Sequence, residues 1–187
     1  MISVNVIDDF LTKEEHEAIQ KQLSGAYQYW IWNSSHMYDD LTETSTNLES
    51  KDNQVDYPQF VWSVYKEHTI VDTKVYSLVK PVLSKLNYKE LLKIKCNLNI
   101  PYRDCDESKY GYKHTDNREG KAFTGIYYVN DCDGDTVLFD EQEHGHRIEP
   151  RANRFVYFPS KVSHSGNTPK NSTRRIVINF NWIPYDI

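Results

Sequence analysis

Two stretches in the first half of the chain carry apolar side chains at helical spacing. Thr12 is followed three residues later by Glu15, which is the capping-box pattern, and the helix that it opens is predicted to run to about Leu23. A second helix is predicted over about residues 68–86. Its apolar stripe consists of Val71, Val75, Leu78, Val79, Val82 and Leu86.

From residue 91 onward the apolar positions alternate, which is the period of a β-strand. In the first of these strands one face carries Leu92, Ile94, Cys96, Leu98 and Ile100, and the other carries Lys93, Lys95, Asn97 and Asn99. Turn-forming segments separate further predicted strands at 122–130, 135–140, 146–149, 153–158 and 174–183. Residues 2–7 predict a short strand, whereas residues 26–66 have no sustained period and predict a loop region with short strands.

Helices followed by many short strands indicate one α+β domain, and 187 residues suffice for a single core. The expected fold is a double-stranded β-helix (jelly-roll) core over about residues 91–185, with the N-terminal helices packed on one sheet. Residues 1–90 would form the helical and loop part of the same domain.

Charge and composition narrow the class of partner. The formal net charge of -5 should repel polyanions, which makes nucleic acid a poor partner despite a basic run over residues 147–175. No apolar run approaches the roughly 18–20 residues of a membrane span, and the first residues lack the basic start and apolar stretch of a signal peptide. Three scattered cysteines favour a reducing compartment. We therefore expect a soluble, cytoplasmic protein.

A candidate metal site begins at His114 and Asp116. In an extended segment the side chains at i and i+2 point to the same face, so this imidazole and this carboxylate converge. On its own the pair is more typical of a loop histidine beside a solvated carboxylate. His164 follows 50 residues later, after four predicted strands. Together the three residues form the two-histidine, one-carboxylate facial triad of non-haem Fe(II) oxygenases.

Two adjacent arginines strengthen this interpretation. Arg174 and Arg175 come ten and eleven residues after His164 and open an evident strand. A cofactor with a distal carboxylate needs a fixed bidentate cation deep in its site, and arginine has that geometry. An inward Arg175 would place Asn179 and Asn181 in a polar interior, whereas an inward Arg174 would give an apolar one. The polar lining suits a dicarboxylate better and favours Arg175, but both arginines remain candidates.

Five ordered motifs resemble one known family. They are HTDN, IYYVN, GDTVLF, NRFVYFPS, and HSG followed by RRIVINF. In this order they resemble the iron(II)/2-oxoglutarate-dependent dioxygenases, and most of all the prolyl-4-hydroxylase branch, over about residues 95–183. The segment IDDFLTKEEH resembles the first strand and helix of that family. In one departure, Asp135 replaces the second glycine of the family's glycine-rich turn.

The resemblance implies a role for each of these residues. Those that would bind Fe(II) are His114, Asp116 and His164, and those around 2-oxoglutarate would be Arg175, Arg174, Tyr128, Thr124 and Tyr102. It also implies O₂ as co-substrate and ascorbate as reductant. The reaction would hydroxylate a C–H bond of a peptidyl-proline-like or amino-acid substrate and release succinate and CO₂.

Two other interpretations stay open. A jelly-roll module that binds a metal or ligand without catalysis would retain its metal tightly and would not respond to 2-oxoglutarate. The arginines that follow His164 disfavour it, since a binding module has no need of them. A zinc hydrolase would need a general base near its metal, and no carboxylate except Asp116 lies close in sequence to either histidine.

Overall fold

The computed structural model describes residues 2–26, 28–33, 54–55, 57–102, 110–116 and 121–185. The helices within them are α1 (Lys13–Ser24) and α2 (Thr73–Ser84). The strands are β1 (Asn5–Ile7), β2 (Ile31–Asn33), β3 (Gln54–Val55), β4 (Gln59–Lys66), β5 (Thr69–Ile70), β6 (Tyr88–Asn99), β7 (Tyr110–Gly111), β8 (Phe123–Tyr128), β9 (Thr136–Phe139), β10 (Gly145–Ile148), β11 (Phe155–Pro159), β12 (His164–Gly166) and β13 (Arg175–Pro184).

Both helices begin at a capping side chain. The Glu15 amide donates to Thr12 Oγ1 at 3.3 Å and the Thr12 amide donates to Glu15 Oε2 at 3.0 Å, so the predicted capping box is formed. In α2 the Val75 amide donates to the side chain of Asp72 at 2.8 Å. This helix starts later than predicted, because β5 occupies part of the preceding stretch. Within the described ranges, neither helix combines the length and the apolar character that a membrane span requires.

The main sheet has eight strands in the order β1–β11–β8–β13–β6–β4–β2, with β5 paired to β4. Every pair in it is antiparallel. A smaller antiparallel sheet has the order β10–β9–β12, and β3 pairs with β7 in parallel. This mostly antiparallel architecture with few helices agrees with the predicted jelly-roll class.

Alternation along the long strands gives the main sheet two different faces. One face is buried with side chains of both helices, and this cluster includes Ile19, Leu23, Val75, Val79, Ile94, Cys96, Ile176, Ile178 and Phe180. The other face shares a second cluster with the small sheet, formed by Ile126, Tyr128, Leu138, Ile148, Val156, Phe158 and Val177. Each fully buried apolar side chain contributes roughly 1.5–3 kcal/mol to folding. Six polar residues of β6 and β13 line the cavity described below: Lys93, Lys95, Asn97, Arg175, Asn179 and Asn181.

The N-terminal half contains a longer strand than expected. Residues 26–66 predict a loop region with short strands, and residues 59–66 form the eight-residue strand β4, which pairs with β6 inside the main sheet. Most side chains of β4 are half-buried on both faces, so no clean alternation of polar and apolar residues marks it. Residues 27, 34–53 and 56 of the same region lie outside the described part of the chain.

Candidate functional site

The three predicted metal ligands lie together between the two sheets. One nitrogen of each histidine and one carboxylate oxygen of Asp116 lie within 4.8 Å of one another. The backbones of His114 and His164 are paired: the amide of His114 donates to the carbonyl of His164 at 3.0 Å, and the reverse bond measures 2.9 Å. The chain between the histidines therefore returns to the same point, which brings the two rings side by side.

Backbone carbonyls fix the orientation of both imidazoles. Nδ1 of His114 lies 3.3 Å from the carbonyl oxygen of Tyr112, and Nδ1 of His164 lies 3.0 Å from that of Val162. Because a carbonyl can only accept, each neutral ring carries its hydrogen on Nδ1 and keeps the lone pair on Nε2. The Nε2 atoms lie 3.7 Å and 3.8 Å from the carboxylate oxygens of Asp116. A hydrogen bond on the other ring nitrogen is how proteins orient metal-binding histidines.

Two polar side chains hold the carboxylate of Asp116. Thr124 donates from Oγ1 to Oδ2 at 2.7 Å, and Asn181 donates from Nδ2 to the same oxygen at 2.9 Å. Thr124 is buried and its hydroxyl also lies 2.9 Å from Oγ of Ser160. Donors on Oδ2 favour the ionised form of the carboxyl and leave Oδ1 on the side of His114.

The electrostatics of the cluster favour cation binding at neutral pH. Burial and the neighbouring His164 lower the pKa of His114 to about 4, with a smaller contribution from Lys95, although Asp116 opposes this shift. Burial alone would raise the pKa of Asp116, but the two histidines and the hydrogen bonds on Oδ2 outweigh it and bring the value to about 2. His114 is therefore neutral and Asp116 ionised at neutral pH, which are the metal-binding forms of these groups.

A cavity between the two sheets connects the cluster with Arg175. Its described lining residues are Gln59, Lys93, Lys95, Asn97, His114, Asp116, Ile126, Thr136, His164, Gly166, Arg175, Val177, Asn179 and Asn181. Arg175 is only 3% exposed, whereas Arg174 is exposed and donates from Nη1 to the carbonyl of Ser24 at 3.3 Å. Arg174 was expected around 2-oxoglutarate, but it does not line the cavity. Alternation along the strand turns it to the face opposite Arg175.

Three acceptors fix the guanidinium of Arg175. Nε donates to the carbonyl of Gly134 at 2.8 Å, Nη2 to Oγ1 of Thr136 at 2.9 Å, and Nη1 to Oδ1 of Asn99 at 3.4 Å. A side chain at position 134 would clash, since a Cβ there would lie 2.7 Å from the carbonyl oxygen of Asn167. An arginine has five N–H donors, so the three bonds leave one N–H on each terminal nitrogen for a further acceptor. Such a pair of donors binds a carboxylate in bidentate fashion.

Tyr128 lies next to Arg175 but behind the cavity wall. It is fully buried, the guanidinium carbon of Arg175 lies 5.8 Å from its ring centre, and its hydroxyl donates to Oγ1 of Thr136 at 2.7 Å. Thr136 therefore joins the two side chains, and Tyr128 is not among the described residues that line the cavity. In this structure Tyr128 supports the residues around Arg175 from outside the cavity.

The structure does not bring Thr124 or Tyr102 to the Arg175 end. Thr124 lies opposite Asn181 in the strand register and bonds to Asp116, so it supports the ligand cluster instead of the expected co-substrate position. Tyr102 is 38% exposed and lies 6.3 Å, ring centre to ring centre, from Tyr57. It is not among the described lining residues, because β6 ends at Asn99 and the chain leaves the sheet before it.

Several polar residues in or beside the cavity were given no role from the sequence. Asn99 and Thr136 bond to Arg175, Asn181 bonds to Asp116, and Lys93 and Lys95 line the cavity. A signal existed in the alternation, which placed the lysines and asparagines of β6 on one face. That β6 and β13 are neighbours, with their polar faces in register, is a tertiary fact that no local pattern contains.

Residues 102–183 match the family model of the 2OG-Fe(II) oxygenase superfamily. This range contains the three clustered residues His114, Asp116 and His164 together with Arg175. No curated protein sequence matches the chain. Over residues 102–183 the family model therefore agrees with the resemblance that the sequence motifs carry, and the name of this superfamily states its metal and its co-substrate.

Solved structures of similar fold come from several members of that superfamily. A Trichoplax adhaerens prolyl hydroxylase, in complex with a hypoxia-inducible factor peptide, shares 16% identity at a TM-score of 0.60, over 96% of this chain and 83% of that one. The collagen prolyl hydroxylase of Paramecium Bursaria Chlorella virus-1, in its 2OG complex, shares 14% at 0.54, over 96% and 94%. The epimerase SnoN from nogalamycin biosynthesis, with Fe³⁺ and α-ketoglutarate, shares 10% at 0.58, over 98% and 79%. These similarities establish the fold.

Proposed function

We propose that this chain is an Fe(II)- and 2-oxoglutarate-dependent dioxygenase that hydroxylates a C–H bond of a peptidyl-proline-like or amino-acid substrate. One observation carries the proposal: a single cavity holds two histidines and an aspartate within 4.8 Å of one another and also the buried Arg175. The superfamily match supports the class of reaction. The prolyl hydroxylases from Trichoplax adhaerens and from Paramecium Bursaria Chlorella virus-1 support the substrate class.

The residues that would hold the iron are His114, Asp116 and His164. Two imidazoles and one carboxylate on one side of an ion are the donor set that non-haem Fe(II) oxygenases use, and they leave positions open for reactants. The hydrogen bonds on Nδ1 of each ring and on Oδ2 of Asp116 direct the remaining donor atoms toward one point. The donor chemistry and its supporting hydrogen bonds therefore fit the ion.

Arg175 would bind the distal carboxylate of 2-oxoglutarate. Beside it, Asn99 is fully buried, and its Nδ2 has no hydrogen-bond partner among the described residues. A buried donor without a partner costs roughly 1–3 kcal/mol, and a carboxylate bound to Arg175 would offset this cost. This end of the cavity therefore fits an anion with two oxygen acceptors.

When bound, iron and 2-oxoglutarate would supply the oxidation itself: O₂ is reduced, succinate and CO₂ leave, and one oxygen atom enters the C–H bond of the substrate. The residues of the chain itself would hold the ion and the co-substrate in place. The histidines and Asp116 hold the ion, Arg175 fixes the far end of the co-substrate, and Thr124 and Asn181 keep Asp116 oriented. The site would thus hold its reactants in one fixed arrangement. This positioning would be the main contribution of the protein to the rate of the reaction.

The test is 2-oxoglutarate turnover by the purified protein with Fe(II), ascorbate and O₂, measured as succinate release. We expect succinate in all these assays and a higher rate when a proline-rich peptide or a free amino acid that serves as substrate is added. His164→Ala should abolish the turnover. Replacement of Fe(II) by Zn²⁺ should also abolish it, which separates this function from a zinc hydrolase.

A negative result would also be informative. If the wild-type protein forms no succinate and does not bind 2-oxoglutarate, the proposal is wrong. Retention of metal under the same conditions would then favour a jelly-roll module that binds a metal or ligand without catalysis.

A further inference from the structure

We propose that Gly166 makes the co-substrate site selective for a 2-oxo acid that carries a second carboxylate. The proposal rests on the proposed function and names a specificity-determining residue for it. Gly166 is the last residue of β12 and lines the same cavity as Arg175. Because it has no side chain, it leaves a space against the guanidinium, and this space would hold the carboxylate that Arg175 binds.

The fold itself does not require a glycine at position 166. The residue pairs with Thr136 in the small sheet, and its backbone is not in the left-handed region that favours glycine. The nearest described heavy atom to a Cβ built there would lie at 3.4 Å, which is an ordinary van der Waals contact. An alanine would therefore fit the protein and would also suit a strand better. A glycine in a strand often marks the close approach of a ligand.

The three described atoms nearest to that Cβ belong to one guanidinium. They are Nη1, Nη2 and Cζ of Arg175, at 3.4, 3.5 and 3.7 Å. A methyl group over the centre of the guanidinium would be nearest to Cζ, whereas here Cζ is the farthest of the three atoms. The methyl group would therefore lie toward the outer edge of the guanidinium, which the two terminal nitrogens form.

A carboxylate that accepts from both terminal nitrogens binds at this same edge. Thr136 and Asn99 each accept from one terminal nitrogen and the Gly134 carbonyl accepts from Nε, so one N–H on each terminal nitrogen remains. Carboxylate oxygens lie about 2.7–2.9 Å from such donors. The methyl group of an alanine would approach these oxygens to about 3 Å, which is closer than the roughly 3.5 Å of a favourable contact between nonbonded atoms. The space at Gly166 therefore serves a ligand and not the packing of the protein.

The charge of Arg175 explains why the ligand should end in a carboxylate. The side chain is 3% exposed, and the three acceptors that bond to its guanidinium are all neutral. A buried cation without a counter-ion is costly. A 2-oxo acid that ends in a methyl group would leave this cost in place, whereas a second carboxylate would offset it. Selectivity for the dicarboxylate therefore needs both the cation of Arg175 and the space at Gly166.

The test compares Gly166→Ala with the wild type by calorimetric titration of Fe(II)-loaded protein without O₂. The probes are 2-oxoglutarate and 2-oxobutanoate, which keeps the 2-oxo acid group but lacks the second carboxylate. The wild type should prefer 2-oxoglutarate by about tenfold or more. In Gly166→Ala the Kd for 2-oxoglutarate should rise by about tenfold or more, because the added methyl group overpacks the carboxylate position. The Kd for 2-oxobutanoate should stay within about twofold.

Arg175→Gln completes a double-variant cycle as the control. If the methyl group acts on the carboxylate that Arg175 binds, Gly166→Ala should change the Kd for 2-oxoglutarate by less than about twofold in the Arg175→Gln background. Urea unfolding of the metal-free Gly166→Ala protein should give a free energy equal to that of the wild type or higher, since alanine restricts the unfolded chain. These two measurements separate an effect on the ligand from damage to the fold.

Four results would overturn the proposal. They are an unchanged Kd for 2-oxoglutarate in Gly166→Ala, equal weakening of both probes, an equal effect of alanine in the Arg175→Gln background, and failure of Gly166→Ala to fold, which would show that the fold needs the glycine. If the wild type binds no 2-oxoglutarate, the proposed function is wrong as well. If the wild type binds it and alanine makes no difference, only the role of Gly166 is wrong.

Discussion

Thr124 donates a hydrogen bond of 2.7 Å from Oγ1 to Oδ2 of Asp116, so a buried residue of β8 fixes the one carboxylate of the proposed metal cluster. Asp116 lies outside the strands, whereas both of its donors lie on the main sheet. The direction of its carboxylate is therefore set by the sheet. The orientation of Asp116 thus depends on one residue eight positions away in sequence and on another 65 positions away.

Replacement of Thr124 by valine should weaken metal binding. Valine keeps the shape of the side chain but removes the donor, and loss of a hydrogen bond to a metal-binding side chain costs about 10–100-fold in metal affinity. We expect the Kd for Fe(II) to rise by about tenfold, measured by anaerobic titration. Thr124→Ser keeps the hydroxyl and should remain close to the wild type. An unchanged Kd in Thr124→Val would show that Asn181 alone suffices to hold Asp116.

The two adjacent arginines provide a matched pair for the co-substrate. Arg175→Gln removes the guanidinium and with it the two N–H donors that its three bonds leave over, and a hydrogen bond to a charged group contributes about 1.5–3 kcal/mol, or about 10–150-fold in affinity. We expect the apparent Kd for 2-oxoglutarate to rise by that factor. Arg174→Gln should stay within about twofold, because Arg174 is exposed and bonds to the Ser24 carbonyl.

The measurement for this pair is a 2-oxoglutarate titration of the metal-loaded variants. Arg175→Lys is a useful third variant, since it keeps the charge but loses the planar fork, and should fall between the wild type and the glutamine variant. Equal weakening by Arg174→Gln and Arg175→Gln would contradict the assignment of the co-substrate carboxylate to Arg175.

Local patterns predicted the parts of this molecule that depend on local physics. The capping box at Thr12 and Glu15 follows from two side chains three residues apart, and it is formed as predicted. The alternation on β6 and β13 likewise follows from the pleat, which places Arg175, Asn179 and Asn181 on the cavity side. Since alternation is an intrinsic property of an extended chain, the sequence alone indicates which of these residues share a face of the strand.

The remaining features depend on which segments become neighbours. Short strands were predicted within residues 26–66, but β4 was not located, because it is half-buried on both faces in the interior of the sheet. Thr124 was expected near the co-substrate, but its partner was decided by the register that sets it opposite Asn181, 57 residues away. Which of the two arginines faces the cavity likewise depended on which face of the main sheet the helices cover. Such pairings are set by the whole core, so no short window of sequence contains them.

Without bound metal, the folded protein should lose stability as the pH falls from about 6.5 to about 4. The pKa of His114 is lowered from 6.5 to about 4 by burial, with His164 second, so the unfolded chain binds more protons within this window. The contribution is fully present above pH 6.5 and is lost as the pH approaches 4. Because the His114 side chain is 27% exposed and partly screened by solvent, the loss of stability amounts to no more than roughly 3 kcal/mol.

Urea unfolding of metal-free protein across this window measures the effect. His114→Gln should flatten the pH dependence of the free energy of unfolding. His68→Gln, at a side chain 73% exposed, should keep the wild-type profile. A His114→Gln profile as steep as that of the wild type would assign the loss of stability to other groups.

Asn153 connects the start of the chain to the turn before β11. Its Oδ1 accepts from the Leu11 amide at 2.9 Å, its Nδ2 donates to the Leu11 carbonyl at 2.8 Å, and it is 8% exposed. The hydroxyl of Tyr127 also donates to Oδ1, at 3.0 Å. The backbone of Asn153 has a φ of 64°, a left-handed conformation that asparagine tolerates better than most residues.

Asn153→Ala should therefore destabilise the protein by about 2–4 kcal/mol. It leaves the buried amide and carbonyl of Leu11 without partners. It also places alanine, which has a Cβ but no side chain that can form a hydrogen bond, in a left-handed conformation. The measurement is the free energy of unfolding in urea. Asn153→Gly is the matched control: it relieves the backbone strain but not the lost hydrogen bonds, so it should be about 1 kcal/mol more stable than the alanine variant. Both glycine and alanine variants should stay below the wild type. Alanine stability equal to that of the wild type would show that water replaces the side chain of Asn153 at Leu11.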